Sequence, residues 1–130
     1  MKKIDNFLKN RLFDFKEILL VDDEEDLGWI LQKVFSDMGY KFIFASTIKD
    51  GLKKIRKYEN LDVAIIDFKI DKENGFDFIK KAKKINNKIE FIMISAFGDL
   101  DIKEKAKQSG IQHFLDKPIK LEKLLYLVRA

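Results

Sequence analysis

The sequence predicts an α/β fold, a parallel β-sheet covered by helices on both faces. Three observations predict it. First, Val63-Ala64-Ile65-Ile66 and Ile18-Leu19-Leu20-Val21 are short continuous apolar runs with β-branched members, the pattern of strands buried on both faces. Second, such runs alternate along the chain with segments of helical periodicity. Third, the connections are short and rich in turn residues, which leaves no room for a long structureless loop. Both leading runs end in carboxylates, Asp67 in one case and Asp22-Asp23 in the other. Open parallel sheets place their sites at the carboxyl ends of strands, so the three carboxylates predict one acidic pocket.

Taken in order, residues 1–16 read as an amphipathic helical extension, with Ile4, Phe7, Leu8, Leu12 and Phe15 at helical spacing and Lys2, Lys3, Lys9 and Arg11 among them. A helix this short needs an apolar surface to lie on: its own domain, a second copy, or a membrane surface. Ile18–Val21 is the first strand. The following helix offers Leu27, Ile30, Leu31, Val34, Phe35 and Met38 for burial and closes at Gly39. Trp29 falls opposite that face and is expected outside the core. Phe42–Ala45 is the second strand, and Ser46 or Thr47 caps a helix that buries Ile48, Leu52 and Ile55. Val63–Ile66 is the third strand, followed by the turn residues Asp71, Lys72, Glu73 and Asn74. Gly75 opens a helix with Phe76, Phe78, Ile79, Ala82 and Ile85 available to the core. Phe91–Ile94 is the fourth strand, ending at Ser95. The helix near Leu100–Ser109 has the weakest apolar face, with Leu100, Ile102 and Ala106 as its candidates, and Gly110 stops it. Ile111–Leu115 is the fifth strand, containing the single histidine, His113; Lys117-Pro118 begins a turn. Leu121, Leu124, Leu125 and Val128 form the face of a last helix.

Composition narrows the function classes. With 130 residues, the chain is one domain that buries roughly two-thirds of its unfolded surface. No apolar run is long enough to span a membrane, no signal-peptide pattern follows Met1-Lys2-Lys3, and cysteine is absent, which fits a cytoplasmic protein. A net charge of +4, from 26 basic and 22 acidic residues spread widely, gives no compact basic stripe, so direct nucleic-acid binding is not expected.

Polar groups stand at four strand ends: Asp22 and Asp23, Asp67, Ser95, and Lys117 just past the fifth strand, with Gly75 eight residues beyond Asp67. On these residues, the segment 17–130 resembles the receiver domain of two-component response regulators. The resemblance implies a five-stranded parallel sheet of order 2-1-3-4-5 flanked by five helices, the flavodoxin-like fold, with the extra N-terminal helix before it. It further implies Asp67 as phosphoryl acceptor, and Mg²⁺ held by Asp22, Asp23, Asp67 and the main-chain carbonyl of Lys69. Ser95 and Lys117 would contact the phosphoryl group, Phe114 stands at the family's switch-aromatic position, and the Lys117–Pro118 peptide is expected cis. Where family members often have proline four residues after the acceptor, this chain has Asp71. The runs Met93–Asp101 and Asp67–Ile70 are most similar to the single-domain members that act as sporulation phosphorelay intermediates.

The chemistry asks for these residue types independently. A carboxylate can attack phosphorus and form an acyl phosphate. Charge on the equatorial oxygens of a loose transition state calls for cations and positioning. Clustered carboxylates repel unless a cation joins them, and Mg²⁺ suits one or two carboxylates plus phosphate. The resemblance implies a histidine kinase or histidine phosphotransfer protein as donor, an unidentified protein target, and a monomer or a phosphorylation-dependent dimer. A receiver detached from a DNA-binding or enzymatic output domain is the first alternative. An aspartyl phosphatase is a second, disfavoured because Lys69 stands where those enzymes carry a second Asp. A nucleotide-binding protein lacks its glycine-rich loop here.

Overall fold

In the computed structural model, which describes residues 16–70, 72–96, 100–111 and 113–129, strands and helices alternate except where two short strands follow the third. The elements are β1 (Glu17–Val21), α1 (Glu25–Asp37), β2 (Lys41–Ala45), α2 (Ile48–Lys57), β3 (Val63–Asp67), β4 (Lys69–Ile70), β5 (Glu73–Asn74), α3 (Gly75–Ile85), β6 (Glu90–Ala96), α4 (Leu100–Gln108), β7 (His113–Lys117) and α5 (Leu121–Arg129). Five of these strands form one parallel sheet in the order β2-β1-β3-β6-β7. Counting sheet strands alone, that is the 2-1-3-4-5 order of a flavodoxin-like receiver fold. The residues of the proposed N-terminal helical extension lie outside the described ones, apart from Lys16, and so does Asp71.

Strand alternation explains the two-sided core. Leu19, Val21, Ala64, Ile66, Phe91 and Met93 point to one face, where Ile48 and Ile55 of α2, Phe78, Ile79 and Ala82 of α3, and Ala106 of α4 cover them. Ile18, Leu20, Val63, Ile65, Ile92, Ile94 and Leu115 point to the other, beneath Leu31 and Phe35 of α1 and Leu124 and Val128 of α5. All five residues of β3 are buried. Each aliphatic side chain so enclosed contributes about 1.5–3 kcal/mol of burial, which fixes the central strand and whatever it carries at its end.

Local signals set the helix ends. The Asp50 N–H donates to Thr47 Oγ1 at 3.0 Å and the Phe76 N–H to Asn74 Oδ1 at 2.7 Å, satisfying first-turn donors of α2 and α3. Gly39 follows α1 at φ 92°, the left-handed conformation that glycine adopts without penalty.

Several expectations are corrected. The last sheet strand is His113–Lys117, not Ile111–Leu115. Ile111 is buried, yet its N–H bonds to the Ala106 carbonyl at 2.9 Å and closes α4, so it serves the helix end rather than the ladder. Lys117 is therefore paired inside the sheet, opposite Ala96. Ile30, Ile85, Leu100 and Leu121 are exposed. On α1 the buried set is Gly28, Leu31 and Phe35, and Ile30 lies well round the helix from their centre. On α4 only Ala106 is buried, so the face is weaker still than its spacing promised. The turn after β3 holds a small antiparallel hairpin, β4–β5, pinned by the buried Ile70.

Gly75 closes that hairpin against β3. Its N–H donates to the Phe68 carbonyl at 2.6 Å, and a Cβ there would stand 2.8 Å from the Asp67 carbonyl oxygen and 3.1 Å from Phe68 Cα. Both neighbours are backbone and cannot rotate away. Gly75→Ala is expected to cost about 1–3 kcal/mol in urea unfolding, by overpacking; an unchanged or higher midpoint would show that the strand end yields freely.

Candidate functional site

The register of the sheet brings the chemistry to one edge. Val21, the last residue of β1, pairs with Ala45 and Ile66, and Asp67 pairs with Ile94. Asp22 and Asp23 just beyond β1, Asp67 at the end of β3, Ser95 one residue past the Asp67–Ile94 pair, and Lys117 at the end of β7 thus share the carboxyl edge.

Asp22 is fully buried. Its N–H bonds to the Ala45 carbonyl at 3.1 Å, and its Oδ1 accepts the Glu24 N–H at 2.9 Å. Its Oδ2 makes no hydrogen bond; Lys117 Nζ stands 3.5 Å away as an ion pair. Burial pushes the Asp22 carboxyl up to about 6, against the pull of the Glu24 N–H and the Lys117 ammonium. Asp67 is 7 % exposed; its Oδ1 accepts the Lys69 N–H at 3.3 Å and its Oδ2 accepts Lys117 Nζ at 2.8 Å. Asp23 is exposed, and carboxylate oxygens of Asp22, Asp23 and Asp67 lie within 4.8 Å of one another.

This donor set fits a divalent cation. Three carboxylates converge, one of them buried with an oxygen that no hydrogen bond satisfies. Oxygen-only ligation suits a hard ion such as Mg²⁺ rather than a softer metal.

Lys117 supplies positive charge to the site. Its Nζ contacts Asp67 at 2.8 Å, Glu24 at 3.0 Å and Asp22 at 3.5 Å. Burial works against the ammonium, but hydrogen bonds to Asp67 and Glu24 outweigh it and push the pKa up, so Lys117 is charged throughout the neutral range. The Lys117–Pro118 peptide is cis. Glu24 went unnoticed in the sequence, where Asp-Asp-Glu-Glu shows no spacing that singles it out.

Ser95 is buried, 3 % exposed, in β6. Phe114 is half-buried against the core on the α2–α3–α4 face, with Lys103 Nζ 5.6 Å from its ring centroid. Lys103 also bonds Asp116 Oδ2 at 2.9 Å, tying α4 to β7. His113 begins β7, at the far end of the sheet from the acidic pocket. Trp29 is 70 % exposed on α1. Among the described residues no helix is long and apolar enough to cross a membrane.

Residues 18–129 match the response regulator receiver domain family. Sporulation initiation phosphotransferase F of Bacillus subtilis is 29% identical over 109 residues, spanning 84% of this chain and 87% of that protein. Chemotaxis protein CheY of Thermotoga maritima is 30% identical over 105 residues, 79% of this chain and 86% of that one. The uncharacterized transcriptional regulatory protein YbdJ of Bacillus subtilis is 33% identical over 112 residues, 86% of this chain but 48% of the regulator. Among solved structures, a response regulator receiver domain protein of Clostridium thermocellum superposes with TM-score 0.81 at 28% identity, covering 88% of this chain and 92% of that one. The match spans nearly every described residue, the sheet order agrees, and so the chain belongs to the response regulator receiver domain family, the signalling receivers of two-component systems.

Proposed function

We propose that Asp67 is the phosphoryl acceptor of this receiver, and that a histidine kinase or histidine phosphotransfer protein in the cytoplasm is the donor. The observation that carries the reading is the convergence of Asp22, Asp23 and Asp67 within 4.8 Å, with Lys117 Nζ 2.8 Å from the Asp67 carboxylate. An Asp67 oxygen attacks the phosphorus of a phosphohistidine protonated on its other ring nitrogen; the N–P bond breaks, neutral imidazole leaves keeping that proton, and an aspartyl phosphate forms. Water later hydrolyses it, returning the carboxylate and releasing inorganic phosphate. Asp22, Asp23, Asp67 and the main-chain carbonyl of Lys69 would hold Mg²⁺, which neutralises charge on the phosphoryl oxygens when bound. Lys117 offers the transferred group a compact cation, and the Ser95 hydroxyl a donor.

The output is a changed protein-binding surface on α4, β7 and α5. Ala106 is the one fully buried residue described in α4, with Ile102 packed partly buried beside the core, and weakly buried elements are the ones free to shift. Phosphorylation would bias Phe114 and α4 between two arrangements already available to the fold. Similarity to a sporulation initiation phosphotransferase that this chain spans almost completely supports a phosphorelay role. Similarity to YbdJ supports a second reading, a receiver that serves one part of a longer transcriptional regulator.

One experiment tests acceptor and output together: amide exchange with and without beryllofluoride and Mg²⁺, in the wild type and in Asp67→Asn. Protection is expected to change beside Asp67 and across residues 100–117 in the wild type alone. An equal response in Asp67→Asn sinks the acceptor, and a response confined to the neighbours of Asp67 sinks the output face.

A further inference from the structure

Glu24 reaches away from its own helix. It occupies the N-cap position of α1, and its side chain makes no capping bond. The carboxylate reaches across to Lys117 instead, Oε1 to Nζ 3.0 Å. Its own N–H meanwhile donates to Asp22 Oδ1 at 2.9 Å, which fixes the Glu24 backbone against the acidic cluster.

What that contact does follows from the other partners of Lys117. Of its three carboxylate partners, Asp67 and Asp22 belong to the triad within 4.8 Å, and Glu24 does not. The two carboxylates that bind the ammonium, Asp67 and Asp22, are therefore carboxylates that a cation at the triad would also need. Lys117 and a cation compete for them. Glu24, whose side chain is 57 % exposed at the rim, is the partner that keeps its hold on Lys117 when the other two are taken.

We infer that Glu24 is a positioning residue for Lys117: it draws the ammonium off the cation's ligands and holds it at the rim of the site, where the transferred phosphoryl group arrives. The inference deepens the proposed function and rests on it. Without Glu24, Lys117 leans wholly on Asp67 and Asp22, and a divalent cation must displace it.

A double-mutant cycle tests this, read as Mg²⁺ affinity by calorimetry on the full chain in wild type, Glu24→Gln, Lys117→Met and the double variant. Glu24→Gln is expected to weaken Mg²⁺ binding by about twofold to fivefold, the range an exposed ion pair supplies. In the Lys117→Met background the same substitution is expected to do little, because the residue through which it acts is gone. An equal or larger loss in that background would show that Glu24 acts on the cation directly by its charge, and would overturn the inference alone. Wild type that binds no Mg²⁺ would overturn the cation reading of the triad, and the inference with it. Glu24 is exposed and outside the core, so the variant folds, and an unchanged unfolding midpoint verifies it.

Discussion

Asp22→Asn is expected to make the metal-free protein more stable at neutral pH while removing its response to Mg²⁺. Asp22 is fully buried, and burial raises its carboxyl from 3.8 to about 6. Between those values the folded state binds more protons than the unfolded state, so stability falls as pH rises from about 4 to about 6 and stays lower above. That displacement amounts to about 3 kcal/mol at most. Asparagine cannot ionise and so escapes the penalty, and its Oδ1 still accepts the Glu24 N–H. The lost ion pair with Lys117, at 3.5 Å, offsets part of the gain. Thermal unfolding in EDTA at pH 7 should show a rise of several degrees for Asp22→Asn, shrinking toward pH 4. Added Mg²⁺ should then stabilise the wild type and leave the variant unmoved. A variant less stable than wild type in EDTA at pH 7 would mean that the carboxylate is comfortable where it lies.

Lys117→Met should do the opposite. The substitution keeps the length of the side chain but leaves Asp67, Asp22 and Glu24 without the ammonium they share at 2.8, 3.5 and 3.0 Å. Two of those carboxylates are buried, and an uncompensated buried charge costs more than the intact pair ever contributed. With the Lys117 side chain 25 % exposed, water softens the loss to about 1–3 kcal/mol in metal-free buffer. Mg²⁺ should restore most of that stability by taking over the neutralisation, and should bind the variant more tightly than the wild type, since nothing competes for Asp67 and Asp22. Weaker Mg²⁺ binding in Lys117→Met would show that Lys117 assists the cation rather than contesting its ligands.

The two variants also mark which parts of the site could be read from the residues. Asp22, Asp23 and Asp67 were legible because each closes or follows an apolar run, and a parallel sheet carries all such ends to one edge. Continuous apolar runs and period-3.6 patterns likewise marked the sheet and its five helices, since burial on both faces leaves continuous apolar strands. The errors lie where a neighbour decides. Ile111 is apolar and next to a strand, but the end of α4 claims its N–H. Ile30 and Leu100 keep helical spacing, yet the contact arc of each helix is narrower than its apolar stripe. The β4–β5 hairpin depends on Ile70 finding the core, which no turn signal announces. The bond from Glu24 to Lys117 joins residues 93 positions apart, and nothing but the folded sheet brings them together.

The central claim is that Asp67 takes the phosphoryl group. Its most direct test is to incubate the protein with Mg²⁺ and a small phosphoramidate, reduce the product with borohydride, and map the modified residue by peptide mass. Reduction converts an aspartyl phosphate to homoserine. Homoserine at position 67, absent without Mg²⁺, is the predicted result; homoserine at 22 or 23, or none at 67 after a full phosphate mass gain, would contradict it.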